Sequence, residues 1–162
     1  MRLAQAVVIL QLEKSLAWSH NWALGLPLIV LTVLIHVLGL GLINHRAASV
    51  LTKRTQRRHP AIAFVVVVGT ASLLATILHA AESGIWAVAY RLLGALPSNK
   101  SAMLYSLNAM TSYGHDALVL EDYWQLLGAM EALNGWLLFG LTTAFLFAII
   151  QKVWSTGGVG RY

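Results

Sequence analysis

Three stretches of this chain, 22–43, 61–93 and 123–154, carry few charges, and each exceeds the roughly 20 residues that cross about 30 Å of hydrocarbon. No water inside a bilayer can satisfy a stray N–H or C=O, so a spanning segment is either a helix or part of a closed barrel. Continuous apolar runs of this length, without strict alternation, are helical. The expected fold class is therefore an all-α membrane protein. Of the 162 residues, 58% are hydrophobic and 10% charged. Three spans leave little chain for a soluble domain, so function has to reside in the spans and the loops between them.

Residues 1–20 are apolar but interrupted by Gln5, Gln11, Glu13 and Lys14, and the unbroken apolar run 6–10 is too short to span. They read as a separate interfacial amphipathic helix. Arg2 followed by apolar residues also resembles a signal peptide, although no small-x-small cleavage site precedes a polar start. The first transmembrane helix is expected over 21–44, with Pro27 in its first turns, where a missing N–H is tolerated. A basic loop, 45–60, follows and carries Arg46, Lys53, Arg54, Arg57 and Arg58, five of the eleven Lys and Arg residues. Positive charge in a short loop marks the cytoplasmic side, which places the N-terminus outside and the C-terminus in the cytoplasm. Anionic lipid is an expected contact of 45–59; nucleic acid is not, because no aromatic residues interleave with the basic run. Trp22, Trp86, Trp124 and Trp154 fall near the span ends and suit interfacial belts. The absence of cysteine removes thiolate metal sites and cysteine nucleophiles. No nucleophile elbow or phosphate loop stands out, and an enzyme is not expected.

The stretch 61–93 is longer than a bilayer needs, so it has to tilt, protrude or break near Ser83-Gly84. Leu96-Pro97-Ser98-Asn99 then stops the chain, and Ser98 or Asn99 can cap a short helix over 100–110. The polar hexapeptide Thr111-Ser112-Tyr113-Gly114-His115-Asp116 follows, before the last long helix and a flexible tail, 155–162. A short helix and a polar, glycine-containing loop between two spans read as re-entrant. This order over 61–154, with Leu104-Tyr105-Ser106-Leu107 in the short helix, resembles the two-transmembrane pore module of the potassium channel superfamily. The last helix, from Leu126-Leu127-Gly128 through Asn134-Gly135 to Phe139-Gly140-Leu141-Thr142-Thr143, is similar to the inner helix of bacterial ion-channel-domain proteins.

The resemblance implies four copies around a C4 axis, an outer helix, a pore helix, a filter loop and an inner helix in 61–154, and a bacterial cytoplasmic membrane. Thr111 to Asp116 stand in the place of the family's Thr-Val-Gly-Tyr-Gly-Asp filter. Thr111 and Asp116 match it, whereas Ser112, Tyr113, Gly114 and His115 replace Val, Gly, Tyr and Gly; a shift of one residue matches Tyr113-Gly114 instead. The implied activity is a homotetrameric channel for a monovalent cation, potassium or sodium, with no cofactor. Displaced filter glycines imply weakened selectivity. Glu121 and Asp122 would form an outer vestibule, Gly135 and Gly140 would permit close helix packing or a hinge in the inner helix, and Thr142 and Thr143 would line its cavity. A non-conducting membrane assembly or a lipid-binding protein with the same architecture is the alternative.

Polar residues within the spans include His36, His79 with Glu82 one turn on, and Glu131 with Asn134 one turn on. Ionisable groups in lipid turn towards protein or water. They are expected to support the filter through interhelical hydrogen bonds, with Glu131 reaching His79 or Glu82. Imidazoles on two helices with a carboxylate also suit a metal or haem site. His36 and His79, counted from opposite ends of their spans, fall at different depths, which speaks against one shared site.

Overall fold

The computed structural model describes residues 2–54, 60–114 and 118–156. Among them every element is helical: α1 (Arg2–Arg54), α2 (Pro60–Leu92), α3 (Asn99–Thr111), a 3-10 turn at Asp122–Trp124 and α4 (Gln125–Thr156). Three helical segments, Ser15–Arg46, Phe64–Leu92 and Asp122–Lys152, are long and apolar enough to cross a membrane. Their outward faces are those of a membrane protein: Leu26, Val30, Leu34 and Leu38 repeat at four-residue intervals along α1, and all are exposed.

Several expected boundaries move. There is no separate N-terminal helix, because α1 runs without a break from Arg2 and no glycine or proline interrupts residues 2–24. Pro27 consequently sits inside a 53-residue helix instead of in its first turns. At the other end α1 continues to Arg54, since Arg, Ala, Leu and Lys dominate 46–54 and no breaker intervenes. Arg46, Lys53 and Arg54 are thus helical; Arg57 and Arg58 lie outside the described residues. The excess length of α2 is not resolved by a break at Ser83-Gly84, for the helix is continuous from Pro60 to Leu92. Trp86 is fully buried, not part of an interfacial belt.

The chain divides into two compact units. The first combines Met1–Val33 with Ser83–Trp136, and the second combines Leu34–Glu82 with Leu137–Tyr162. In the second, Leu40, Ile43, Val67, Ala71, Ala75 and Ile149 form an apolar core, and Gly39 admits the Leu78 side chain. The small residues Ala71 and Ala75 recur at helical spacing and let α2 approach its neighbours closely.

The first unit contains α3. Ser98 caps it through a full capping box: its hydroxyl accepts from Ser101 N–H, and Ser101 Oγ accepts from Ser98 N–H. Ala102, Tyr105, Ser106, Ala109 and Met110 face inward, so the short helix is anchored along its whole length. Two glycines of α4 make room for it. Tyr105 Oη occupies the space beside Gly128, and the Met110 backbone lies against Gly135. Asn21 ties α1 to the start of α4, its Nδ2 donating to Tyr123 O at 2.7 Å and its Oδ1 accepting from Leu127 N–H at 2.9 Å. That bond satisfies one of the orphan amides at the head of α4.

A methyl group added at Gly135 meets backbone, which cannot swing aside, whereas one added at Gly140 meets nothing within 4 Å. Gly135→Ala should therefore destabilise the protein by about 2 kcal/mol, the usual cost of overpacking. Gly140→Ala should raise stability by about 0.5–1 kcal/mol, the helix-propensity gain over glycine. Thermal unfolding midpoints of the purified variants in one detergent check both signs; equal midpoints would contradict the packing of α3 on α4.

Candidate functional site

The segment expected to be a filter begins at the end of α3. Thr111 is the last helical residue, and its hydroxyl donates to Leu107 O at 2.7 Å. Ser112 then turns into the left-handed region at φ 54°, with its N–H bonded to Ala109 O and that of Tyr113 to Asn108 O. This pair of bonds is a Schellman-type ending, built on serine where glycine is usual. Trp136 of α4 holds the turn by donating its Nε1–H to Ser112 Oγ at 2.7 Å. Tyr113 is 84% exposed, and Gly114 adopts φ 100°, a conformation that suits glycine alone. His115 and Asp116 lie outside the described residues. Glu121 and Asp122 are exposed beside the 3-10 turn, where Asp122 Oδ1 accepts from Gln125 Nε2.

Behind α3 the first unit holds a buried carboxyl. Glu131 is fully buried, with Tyr90 Oη donating to its Oε2 at 2.7 Å and Ser106 Oγ in contact with its Oε1. Ser106 Oγ also lies 2.7 Å from the Ser83 carbonyl oxygen. A serine hydroxyl has one proton, and the Ser83 carbonyl can only accept. The hydrogen inventory closes when Ser106 donates to Ser83 and a neutral Glu131 carboxyl donates to Ser106. The sequence pattern had paired Glu131 with His79 or Glu82. Its partners come from the face of α2 two turns from Glu82 and from α3 itself. Asn134 donates from Nδ2 to Thr32 Oγ1 at 2.8 Å, and its Oδ1 is buried without a partner among the described residues.

The second unit holds the other polar cluster. His36 and Glu82 are fully buried, and His36 Nδ1 lies 2.9 and 3.2 Å from the two Glu82 oxygens. His79 Nδ1 approaches the same carboxylate at 3.6 Å. On the opposite side of both rings, His36 Nε2 and His79 Nε2 each lie 3.0 Å from Thr142 Oγ1. The ring centroids are 5.0 Å apart. The expected difference in depth between these histidines is overturned, because antiparallel helices must be counted from a shared end. His36 lies as far from Trp22 as His79 does from Leu93.

On α4, Thr142 is buried in the histidine cluster, while Thr143 is exposed and its hydroxyl returns to Phe139 O. Gly135 is a close-packing residue against Met110, and the helix passes through Gly140 unbroken. Tyr90, Ser106 and Asn21 were missed as functional support. The four-residue register Glu82, Trp86, Tyr90 on α2 was the available signal for Tyr90; nothing in the sequence pairs Asn21 with α4.

No protein-family model, curated protein or solved structure matches this chain.

The hydrogen inventory at Glu131 makes an amide its natural substitute, since Gln can donate to Ser106 and still accept from Tyr90. Glu131→Gln should stay within about 1 kcal/mol of the parent protein, whereas Glu131→Ala, which strands two buried hydroxyls beside a void, should lose about 3 kcal/mol or more. Chemical unfolding in micelles at neutral pH distinguishes them; a Gln variant as unstable as the Ala variant would require an ionised Glu131.

Proposed function

We propose that the chain is the subunit of a homotetrameric, cation-conducting membrane pore, with 111–116 lining the ion path. The observation that carries this reading is α3: a capped, 13-residue helix packed against α4 that ends in an exposed turn, between two helices long enough to span. In this reading α3 and the residues after it form a re-entrant segment. The carbonyl end of a helix carries partial negative charge, which favours a cation over an anion at the turn. Asp116, Glu121 and Asp122 add acidic groups to the same loop.

One chain supplies one such segment and cannot enclose an axial path, so several copies are required, and fourfold symmetry follows from the resemblance to potassium channel pore modules. Leu133, Trp136, Leu137 and Phe139 of α4 are exposed in the single chain and offer an apolar surface to neighbouring copies or lipid. The basic segment 46–58 faces the cytoplasm in this arrangement. Tyr113 and His115 stand at the family's glycine positions, and discrimination among monovalent cations is correspondingly weak.

A non-conducting assembly is the second reading. It is favoured by Thr111, whose hydroxyl is bonded within α3 instead of being directed to an ion.

Mass measurement in native lipid discs and ion flux from proteoliposomes test the proposal together. Four copies with potassium and sodium flux of similar size are expected; a monomeric mass overturns the pore, and four copies without flux select the second reading. Trp136→Phe, which removes the donor holding Ser112, should reduce flux several-fold at unchanged copy number.

A further inference from the structure

We propose that His36, His79 and Glu82 form a binding site for a divalent first-row transition-metal ion, with Thr142 orienting both imidazoles. The site is independent of whether the assembly conducts.

One ligand atom from each of the three residues can be chosen so that all lie within 4.8 Å of one another. Around a tetrahedral ion with bonds of about 2.0–2.1 Å, ligand atoms stand roughly 3.3–3.5 Å apart. From the single oxygen Glu82 Oε2 the separations are 3.2 Å to His36 Nδ1 and 3.6 Å to His79 Nδ1, close to that spacing. Closing the separation between the two imidazoles calls for ring rotations. His79 is the ligand with freedom to make them, because its side chain is 28% exposed while those of His36 and Glu82 are 0% exposed.

The second argument is the disposition of the rings. Both histidines turn Nδ1 to the carboxylate and Nε2 to one hydroxyl oxygen. A metal on Nδ1 fixes each ring in the tautomer with a proton on Nε2. A hydroxyl oxygen has two lone pairs, so Thr142 Oγ1 can accept from both. This is the outer hydrogen bonding that orients ligating histidines in metal sites.

Charge supplies the third. Among the described residues the ion-pair partners of Glu82 are the two histidines. A divalent ion would bring to the buried carboxylate a positive charge that does not depend on a proton held by either ring. Two nitrogens and one oxygen suit zinc, ferrous iron or cobalt better than magnesium or calcium, which prefer oxygen alone.

The test uses the purified full-length protein in lipid discs, stripped with a chelator and titrated with Co²⁺, whose visible absorption reports coordination, and with Zn²⁺ against a chromophoric competitor. One Co²⁺ per chain, displaced by Zn²⁺, is expected. His79→Gln should weaken Zn²⁺ binding at least 100-fold, and Thr142→Val, which keeps all three ligands, 10- to 100-fold. Absence of a Co²⁺ band in the parent protein overturns the site, whatever the variants do. Equal Zn²⁺ affinity in the parent, His79→Gln and Thr142→Val proteins also overturns it, since the metal would then be held elsewhere, on surface histidines or loop acids.

Discussion

Hydrocarbon offers no partner to a polar atom, and this constraint organises the whole chain. Each long helix carries polar side chains on its buried face and apolar ones outside. Asn21, Thr32 and His36 are buried on α1, Glu82 and Ser83 on α2, and Glu131, Asn134 and Thr142 on α4. Small residues sit within the apolar core of each unit, Ala87, Ala102 and Ala109 in the first and Ala71 and Ala75 in the second. Alanine and glycine supply close approach, while the hydrogen bonds supply direction, which apolar contacts in lipid cannot do.

The two buried carboxyls meet that constraint differently. Glu131 is surrounded by hydroxyls, Tyr90 and Ser106, and the proton count around Ser106 accommodates it as a neutral acid. It behaves as a hydrogen-bonding linchpin joining α2, α3 and α4 within the first unit. Glu82 is surrounded by imidazoles, whose ring nitrogens can release or accept a proton or bind a metal. The first arrangement is suited to holding a short helix in place. The second is suited to holding a cation.

The spans, the short third helix and its serine cap were legible because they depend on local signals: apolar length, a Pro-containing stop and a capping residue. The helix ends were less so. Polar residues at 11–14 and the basic run after 44 suggested boundaries, yet polarity alone does not end a helix when no glycine or proline interrupts it. The polar residues that matter were also legible one by one, since an acid or histidine within a span is conspicuous. Their pairing was not. Glu131 was matched to Glu82 and His79 because these are the ionisable groups, but its partners are Tyr90 and Ser106, residues common in any helix. Such pairings depend on the rotation and stagger of one helix against another, which are properties of three-dimensional packing.

The same reasoning decides between hinge and wedge for the glycines of α4. A glycine that permits bending and one that permits close approach look identical in sequence. Gly128 and Gly135 face Tyr105 and Met110 of α3, seven residues apart on one side of the helix, so their absent side chains form the seat of the short helix. Gly140 has open space beside it and no such duty. Any motion of α4 that displaced the seat would carry Met110 and the turn at Ser112 with it, because Met110 contacts Gly135 through backbone and Trp136 bonds directly to Ser112. Adjacent residues of one helix thus grip both the end of α3 and the first residue beyond it. The position of the exposed turn is therefore set by α4, more than by the loop's own sequence.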